Sequence, residues 1–172
     1  MTASPIVWHF LGIPIDVTAV AIWGLVATLL QTVVETTARG LGISRMSIPL
    51  MLGSMFTRDR DRAAALGVLV HAANGWVLAF VYAVVFQAVG YAGWGLGALL
   101  GAVHGALVLV VLMPILPAIH PRMASEHQGP EPTRGLEPPG FFALNYGRMT
   151  PTMTLVAHTL YGITLGGFYH LV

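Results

Sequence analysis

Four ionisable side chains lie within long apolar stretches of the sequence: Glu35, His71, His104 and His158. A charge at the centre of a bilayer costs on the order of 3 kcal/mol on insertion scales, so ionisable residues in membrane-spanning helices usually face the protein interior and serve a function. Neutral imidazoles together with a carboxylate suit zinc, iron, copper or manganese. The residue types therefore predict an intramembrane site built from histidine and glutamate.

This predicted site has three chemical interpretations and one structural interpretation. His71, His158 and Glu35 are candidate ligands of one transition metal ion, because no helix carries the paired Glu-x-x-His ligands of di-iron bundles. His71 and His158, with His104 beside them, are alternatively candidate ligands of a non-covalent haem. Acidic and imidazole groups at stepped depths also suit proton transfer. In the structural interpretation, the histidines only hydrogen-bond neighbouring helices and fix their packing.

Helix geometry predicts the relative depths of these side chains. At about 1.5 Å of rise per residue, His71 and His158 lie about 10–12 Å from the boundary where the arginines begin, Glu35 about 5 Å and His104 about 18 Å. The spread predicts a cluster of His71 with His158, joined by either Glu35 or His104 rather than by both. Three polar side chains within a turn are expected to support the cluster: Gln31, Asn74 and Tyr161.

The composition identifies the class of protein that holds these residues. Of 172 residues, 56% are hydrophobic and 9% are charged, whereas a soluble domain carries about 25% charged residues. A spanning helix needs roughly 20 apolar residues, and four stretches qualify, at about 16–38, 63–90, 93–116 and 151–172. The sequence therefore predicts an all-α integral membrane protein with four transmembrane helices in one domain, residues 1–172. A net charge of +1 gives no surface for nucleic acid.

The arginines predict the orientation of the chain in the membrane. All eight basic residues are arginines, and all lie in two connections, residues 39–62 and 117–150. The positive-inside rule makes both connections cytoplasmic loops, which places both termini on the outer side of a bacterial inner membrane. In the first loop, Ser47 and Pro49 predict the start of a short in-plane helix.

The second loop is rich in proline, and we expect either a flexible connector or a segment that binds a partner. Four histidines lie outside the spans or near the outer surface and are expected to be solvated or interfacial: His9, His120, His127 and His170.

Two spacings recur along the chain and predict an internal duplication. His71-x3-Gly75-x6-Tyr82 reappears as His158-x3-Gly162-x6-Tyr169, and Trp23-Gly24-Leu25 reappears as Trp94-Gly95-Leu96. Each half is then one hairpin of two spans, and the two hairpins are related by a pseudo-twofold axis along the membrane normal. Such an axis places His71 and His158 opposite each other at equal depth.

Small and polar residues recur on one face of each predicted span. Lipid provides no hydrophobic drive between helices, so close approach at small residues and interhelical hydrogen bonds hold such bundles together. We expect the following positions to face inward: Gly24, Thr28, Gln31, Thr32, Glu35 and Thr36; Gly67, His71, Gly75, Ala79 and Ala83; Gly93, Gly97, Gly101 and Gly105; His158, Gly162, Gly166 and His170.

Together these features predict a small subunit of a larger redox or energy-transducing membrane complex, whose histidine and glutamate site holds a metal or haem. Its partners are membrane lipids and other integral membrane subunits, in a hetero-complex or a homo-oligomer. The alternative is a stand-alone intramembrane enzyme for a lipid or other apolar substrate, which requires a lateral opening between helices. A purely structural packing subunit and a small-ion transporter are the remaining alternatives.

Overall fold

The computed structural model describes residues 6–125 and 131–172. This part of the chain is mostly helical (69%), and three helical stretches are long and apolar enough to cross a membrane. The prediction of a mainly helical membrane protein is thereby confirmed. The helices are α1 (Val17–Gly40), α2 (Ile48–Ser54), α3 (Arg60–Val89), α4 (Trp94–Leu107), α5 (Met113–Ile119) and α6 (Thr150–Phe168). α1 packs against α3 and α6, α4 packs against α6, and α2 packs against α3.

A β-hairpin precedes α1. Its strands, β1 (Val7–Phe10) and β2 (Ile13–Asp16), pair antiparallel. The two connecting residues, Leu11 and Gly12, have φ angles of 51° and 82°, the left-handed conformation that two-residue hairpin turns require. Ile15 is fully buried, and the Asp16 carboxylate accepts the Ala19 N–H at 2.9 Å and so caps α1. The sequence pattern did not predict this hairpin.

Glycines bring the backbones of α4 and α6 into direct contact. A β-carbon built on Gly97 would lie 2.1 Å from the carbonyl oxygen of Gly162, and one built on Gly162 would lie 2.1 Å from that of Gly97. Gly101 lies similarly close to the backbone of His158. As predicted from their four-residue spacing, Gly97, Gly101 and Gly105 are buried. In contrast, Thr36 on α1 and His170 after α6 are exposed, although both were expected to face inward.

The short helix α2 packs tightly on α3. A β-carbon on Gly53 would lie 1.7 Å from the carbonyl oxygen of Ala63, and one on Gly67 would lie 1.6 Å from that of Pro49. The predicted start of α2 is correct, since Ser47 is its N-cap residue and Pro49 is in its first turn, but the Ser47 side chain makes no capping hydrogen bond. α2 is therefore held by its contact with α3.

The span that contains α4 and α5 is interrupted by a π-helical turn, Val108–Leu112. The N–H of Met113 donates to the carbonyl of Val108, five residues earlier. The next residue is Pro114, whose ring has no N–H and would clash with the carbonyl four residues before it in a regular α-helix. The wider turn relieves that clash, and π-helical turns of this kind often occur at functional sites.

The second loop folds back onto the helix ends, so its described part is not a free connector. Met123 and Ala143 from this loop are fully buried with Met51 and Met113 in one apolar cluster. An ion pair between Arg45 and Glu137 joins the two loops at 3.4 Å. It is exposed on both sides and contributes little to stability.

His120 is 1% exposed, so the prediction that it is solvated or interfacial was wrong. Its Nε2–H donates to the Met51 carbonyl at 2.9 Å, and its Nδ1 accepts the Arg122 N–H at 3.1 Å. The ring is therefore neutral and fastens α2 to the end of α5. Burial lowers the pKa of His120, and the nearby Arg122 charge lowers it further. His9 is exposed as expected. Two predictions were made for His170, and its exposure agrees with the solvated or interfacial one and shows the inward-facing one to be wrong. His127 lies outside the described residues.

The α4–α6 contact generates a stability prediction. Gly97→Ala and Gly162→Ala should each lower the free energy of unfolding by about 1–3 kcal/mol, because the added methyl group meets backbone that cannot move aside. Gly95→Ala is the matched control on α4, since no atom lies within 4 Å of the position that its methyl group would take. Unfolding of the purified protein in detergent measures all three. Equal stability of Gly97→Ala and Gly95→Ala would contradict the contact.

His120 generates a pH prediction. The folded protein holds the pKa of His120 below its usual value of about 6.5. The stability that neutral His120 contributes is therefore complete above about pH 6.5 and decreases as the pH falls below that value. The melting temperature of the wild type should therefore fall more between pH 7.5 and 5.5 than that of His120→Gln, which cannot titrate. Parallel pH profiles of the two proteins would show that His120 does not hold this contact.

Candidate functional site

A cavity of about 130 Å³ lies between α3 and the span of α4 and α5, with α2, α6 and α1 closing its other sides. Its polar lining consists of six side chains: Gln31, His71, Asn74, His104, His158 and Tyr161. The rest of the lining is aliphatic and methionine side chains, including Met51, Leu78, Val108 and Leu112. The cavity is therefore apolar over most of its wall and polar on one part of it.

All six polar lining residues were predicted from the sequence as site residues. The seventh predicted residue, Glu35, does not line the cavity but is hydrogen-bonded to one that does, Gln31. The Gln31 amide nitrogen lies 3.3 Å from Glu35 Oε1 and also 3.3 Å from His158 Nε2. The depths expected from helix rise suggested that Glu35 and His104 would not both join the histidine pair. Instead, the Gln31 side chain connects Glu35 to His158, and His104 also contacts His158. Glu35 and His104 therefore both belong to one group of polar side chains.

His158 has a defined tautomer. Its Nδ1 lies 2.8 Å from the Thr154 carbonyl oxygen, which can only accept, so Nδ1 carries the proton. Nε2 then accepts from the Gln31 amide. The ring is neutral, is 5% exposed and is held in place at both nitrogens. A backbone carbonyl that binds Nδ1 in this way also orients histidines whose Nε2 binds a metal.

His104 contacts His158 edge to face, with ring centroids 4.7 Å apart. Its Nδ1 lies 3.3 Å from the hydroxyl of Tyr82, a residue that the sequence analysis did not include in the site. Tyr82 is the tyrosine of the first His-x3-Gly-x6-Tyr spacing, so the sequence did contain a signal that could have identified it. Thr154 was also missed, because its contribution is a backbone carbonyl that no sequence pattern reveals.

His71 differs from the other two histidines. Its Nε2 is buried and has no hydrogen-bond partner among residues 6–125 and 131–172, although the residue lines the cavity. A buried polar atom without a partner loses the free energy of its bonds to water, on the order of 1–3 kcal/mol. A ligand in the cavity that hydrogen-bonds or coordinates this nitrogen would recover that loss.

The predicted metal ligands do not form a three-ligand cluster. Within the described ranges, no group of three or more His, Asp or Glu side chains is arranged to hold a metal ion. Glu35 is separated from His158 by the amide of Gln31, which occupies the position that a shared ion would need. A site of two histidines, and a haem, stay predictions.

Two residues of the cavity wall also reach the protein surface. α4 presents its glycines to α6, whereas α3 and α4 meet through larger side chains such as Tyr82 and His104. Asn74 and Leu112, which both line the cavity, are exposed on the outer surface of their helices. The wall of the cavity therefore reaches the protein surface at α3 and at the π-helical turn.

Comparison of the chain with protein-family models, with curated proteins and with solved structures gave no match. Neither a family nor a structural neighbour assigns a role to His71, His104 or His158. The function is therefore inferred from the chemistry of the cavity and from its position in the bundle.

Proposed function

We propose that the chain crosses a bacterial inner membrane four times, with α6 as the fourth span. The eight arginines support this orientation, because all of them lie in the two connections on one side of the long helices. α6 is buried along much of its length against α1 and α4, which explains why its sequence is less apolar than a lipid-facing helix. Both termini are then outside.

The duplication of one hairpin is also a proposal, and matched glycines support it. Gly75 closes against Thr28 of the preceding span, α1, and Gly162 closes against Gly97 of the preceding span, α4. Gly24 contacts α3, whereas its counterpart Gly95 contacts nothing within 4 Å. The similarity is therefore closest around the His-x3-Gly spacing.

The function that the geometry supports best is intramembrane binding of an apolar molecule with a ring-sized, hydrogen-bonding head group. The observation that carries it is the cavity of about 130 Å³ with His71, His104 and His158 in its wall. Apolar cavities of about 150 Å³ in proteins bind benzene, so a single six-membered ring fits. The head group of a lipid-soluble quinone or quinol has this size and offers oxygens to imidazole. The chain is then a binding subunit of a redox complex or an enzyme for that molecule.

A metal or haem in the same cavity is the second candidate. With such a cofactor, the chain would be a subunit of a larger redox or energy-transducing complex that contains other integral membrane subunits. The Nδ1–H bond of His158 to the Thr154 carbonyl favours it, as does the unpartnered Nε2 of His71. The Tyr161 hydroxyl donates to the Gly75 carbonyl at 2.6 Å between α6 and α3. A macrocycle between His71 and His158 would have to break that bond, so a single ion fits better than a haem.

Quinone binding tests the first candidate. A quinone with one isoprene unit should raise the melting temperature of the purified protein, and His71→Leu should weaken its binding about five-fold, the equivalent of one neutral hydrogen bond of about 1 kcal/mol. Leu78→Phe, which takes up part of the cavity, should also weaken binding. His170→Leu is the matched control at an exposed histidine. Equal binding by His71→Leu and His170→Leu would exclude the cavity as the site.

Absorption spectroscopy and elemental analysis of the protein purified from native membranes test the second candidate. A bound haem gives a Soret band, and a bound ion gives one metal per chain. Either signal should be lost in His71→Ala and in His158→Ala and kept in His170→Ala. Absence of both signals from the wild-type protein would exclude the cofactor.

A further inference from the structure

A series of hydrogen bonds joins α1 to α6 beside the histidine-lined cavity of about 130 Å³, the ligand cavity of the proposed function. The series stops one contact short of a closed ring. Glu35 Oε1 accepts from the Gln31 amide, the same amide nitrogen contacts His158 Nε2, and His158 Nδ1–H donates to the Thr154 carbonyl. Thr154 is thereby connected to Glu35 through two intermediate side chains. The remaining polar atoms of these two end residues are Glu35 Oε2 and Thr154 Oγ1.

Both of these atoms are buried and have no hydrogen-bond partner in the described part of the chain. Glu35 is 8% exposed and Thr154 is 1% exposed. The two residues line one small cavity of about 10 Å³, together with the hydroxyl residues Ser44 and Thr150. This volume is about that of one water-sized sphere. A single particle in this cavity would complete the ring.

Charge and size restrict what that particle is. A carboxylate buried among helices is strongly unfavourable unless a proton or a cation neutralises it, and no basic residue lines this cavity. Carboxylate and hydroxyl oxygens are ligands for hard cations. Mg²⁺ retains several of its waters, for which the cavity has no room, and one carboxylate balances one positive charge. K⁺ needs more oxygen ligands at longer distances than Na⁺ does.

We propose that the cavity between α1 and α6 is a binding site for one dehydrated Na⁺, with Glu35 and Thr154 as its principal ligands. Ser44 and Thr150, whose hydroxyls lie 2.9 Å apart, supply the neighbouring oxygens. Glu35 also lines a larger cavity of about 370 Å³ at the arginine end of the bundle. That cavity, which Arg39, Arg60 and Asp61 border, is the side from which we expect the ion to reach Glu35.

The site couples the ion to the histidines. Na⁺ in place of a proton keeps both oxygens of Glu35 as acceptors, so Gln31 continues to donate to Glu35 and to His158 Nε2. His158 is then fixed as a neutral acceptor in the wall of the ligand cavity. The sodium site does not depend on the identity of the ligand in that cavity, so the two proposals are tested separately.

Sodium-dependent stability tests the site. The purified chain in phosphatidylcholine nanodiscs should melt at a higher temperature in NaCl than in choline chloride or KCl of equal ionic strength, with saturation, and should retain one ²²Na⁺ per chain. Glu35→Gln, a neutral replacement of the same shape, should abolish both effects. Thr154→Val should weaken the affinity for Na⁺ at least about ten-fold, whereas Thr154→Ser, which keeps the hydroxyl, should retain it.

Thr37→Val is the matched control, because Thr37 is exposed on α1 two positions after Glu35 and lines neither the small nor the larger cavity. It should bind Na⁺ like the wild type. Equal melting temperatures of the wild type in all three salts, or sodium stabilisation that persists in Glu35→Gln, would overturn the proposal. The cavity would then hold a water molecule beside a protonated Glu35.

Discussion

Polar groups inside a bilayer must find their partners within the protein, because lipid offers none. This constraint explains the arrangement of the bundle. One apolar cluster, with Phe86 and Leu165, lies toward the hairpin end, and a second, with Met51 and Met113, lies toward the arginine end. The ionisable side chains lie between them, and α1, α3, α4 and α6 contribute one each: Glu35, His71, His104 and His158.

Glycine makes this polar layer possible. Because Gly97 and Gly101 bring α4 against the backbone of α6, the ring of His104 comes within contact of His158. The opposite side of α4 has no such glycine contact, and α3 faces it with Tyr82 and Leu78. Side chains of that size hold the two helices apart, and the cavity lined by the histidines is the space that remains. Tight packing on one side and a cavity on the other therefore have a common origin.

Much of this could be predicted from the sequence, for reasons that are local. The length and apolarity of a segment determine whether it spans, and a four-residue spacing determines a helix face, so the long helices and the lining residues His71, His104 and His158 were identified. The rest depends on contacts between distant segments. His120 is buried because α2 packs beside the end of α5, where Met51 accepts its hydrogen bond. Thr154 orients His158 through a backbone carbonyl, which any residue type would provide. The repeat of His-x3-Gly-x6-Tyr predicted equivalent histidines, but it gave no sign that Gln31 would bridge Glu35 to one of them.

The π-helical turn at Val108–Leu112 determines which residues of its span face the cavity. His104, Val108, Leu112 and Leu116 all line it, although residues four apart in a regular α-helix drift by about 40° per step, or about 120° over three steps. The π-helical turn contains one residue more than a regular turn, and this extra residue cancels most of that rotation. In effect, it is a one-residue insertion into a straight helix. Deletion of a single residue there would restore regular winding and still leave His104 and Leu116 on the same side of the helix.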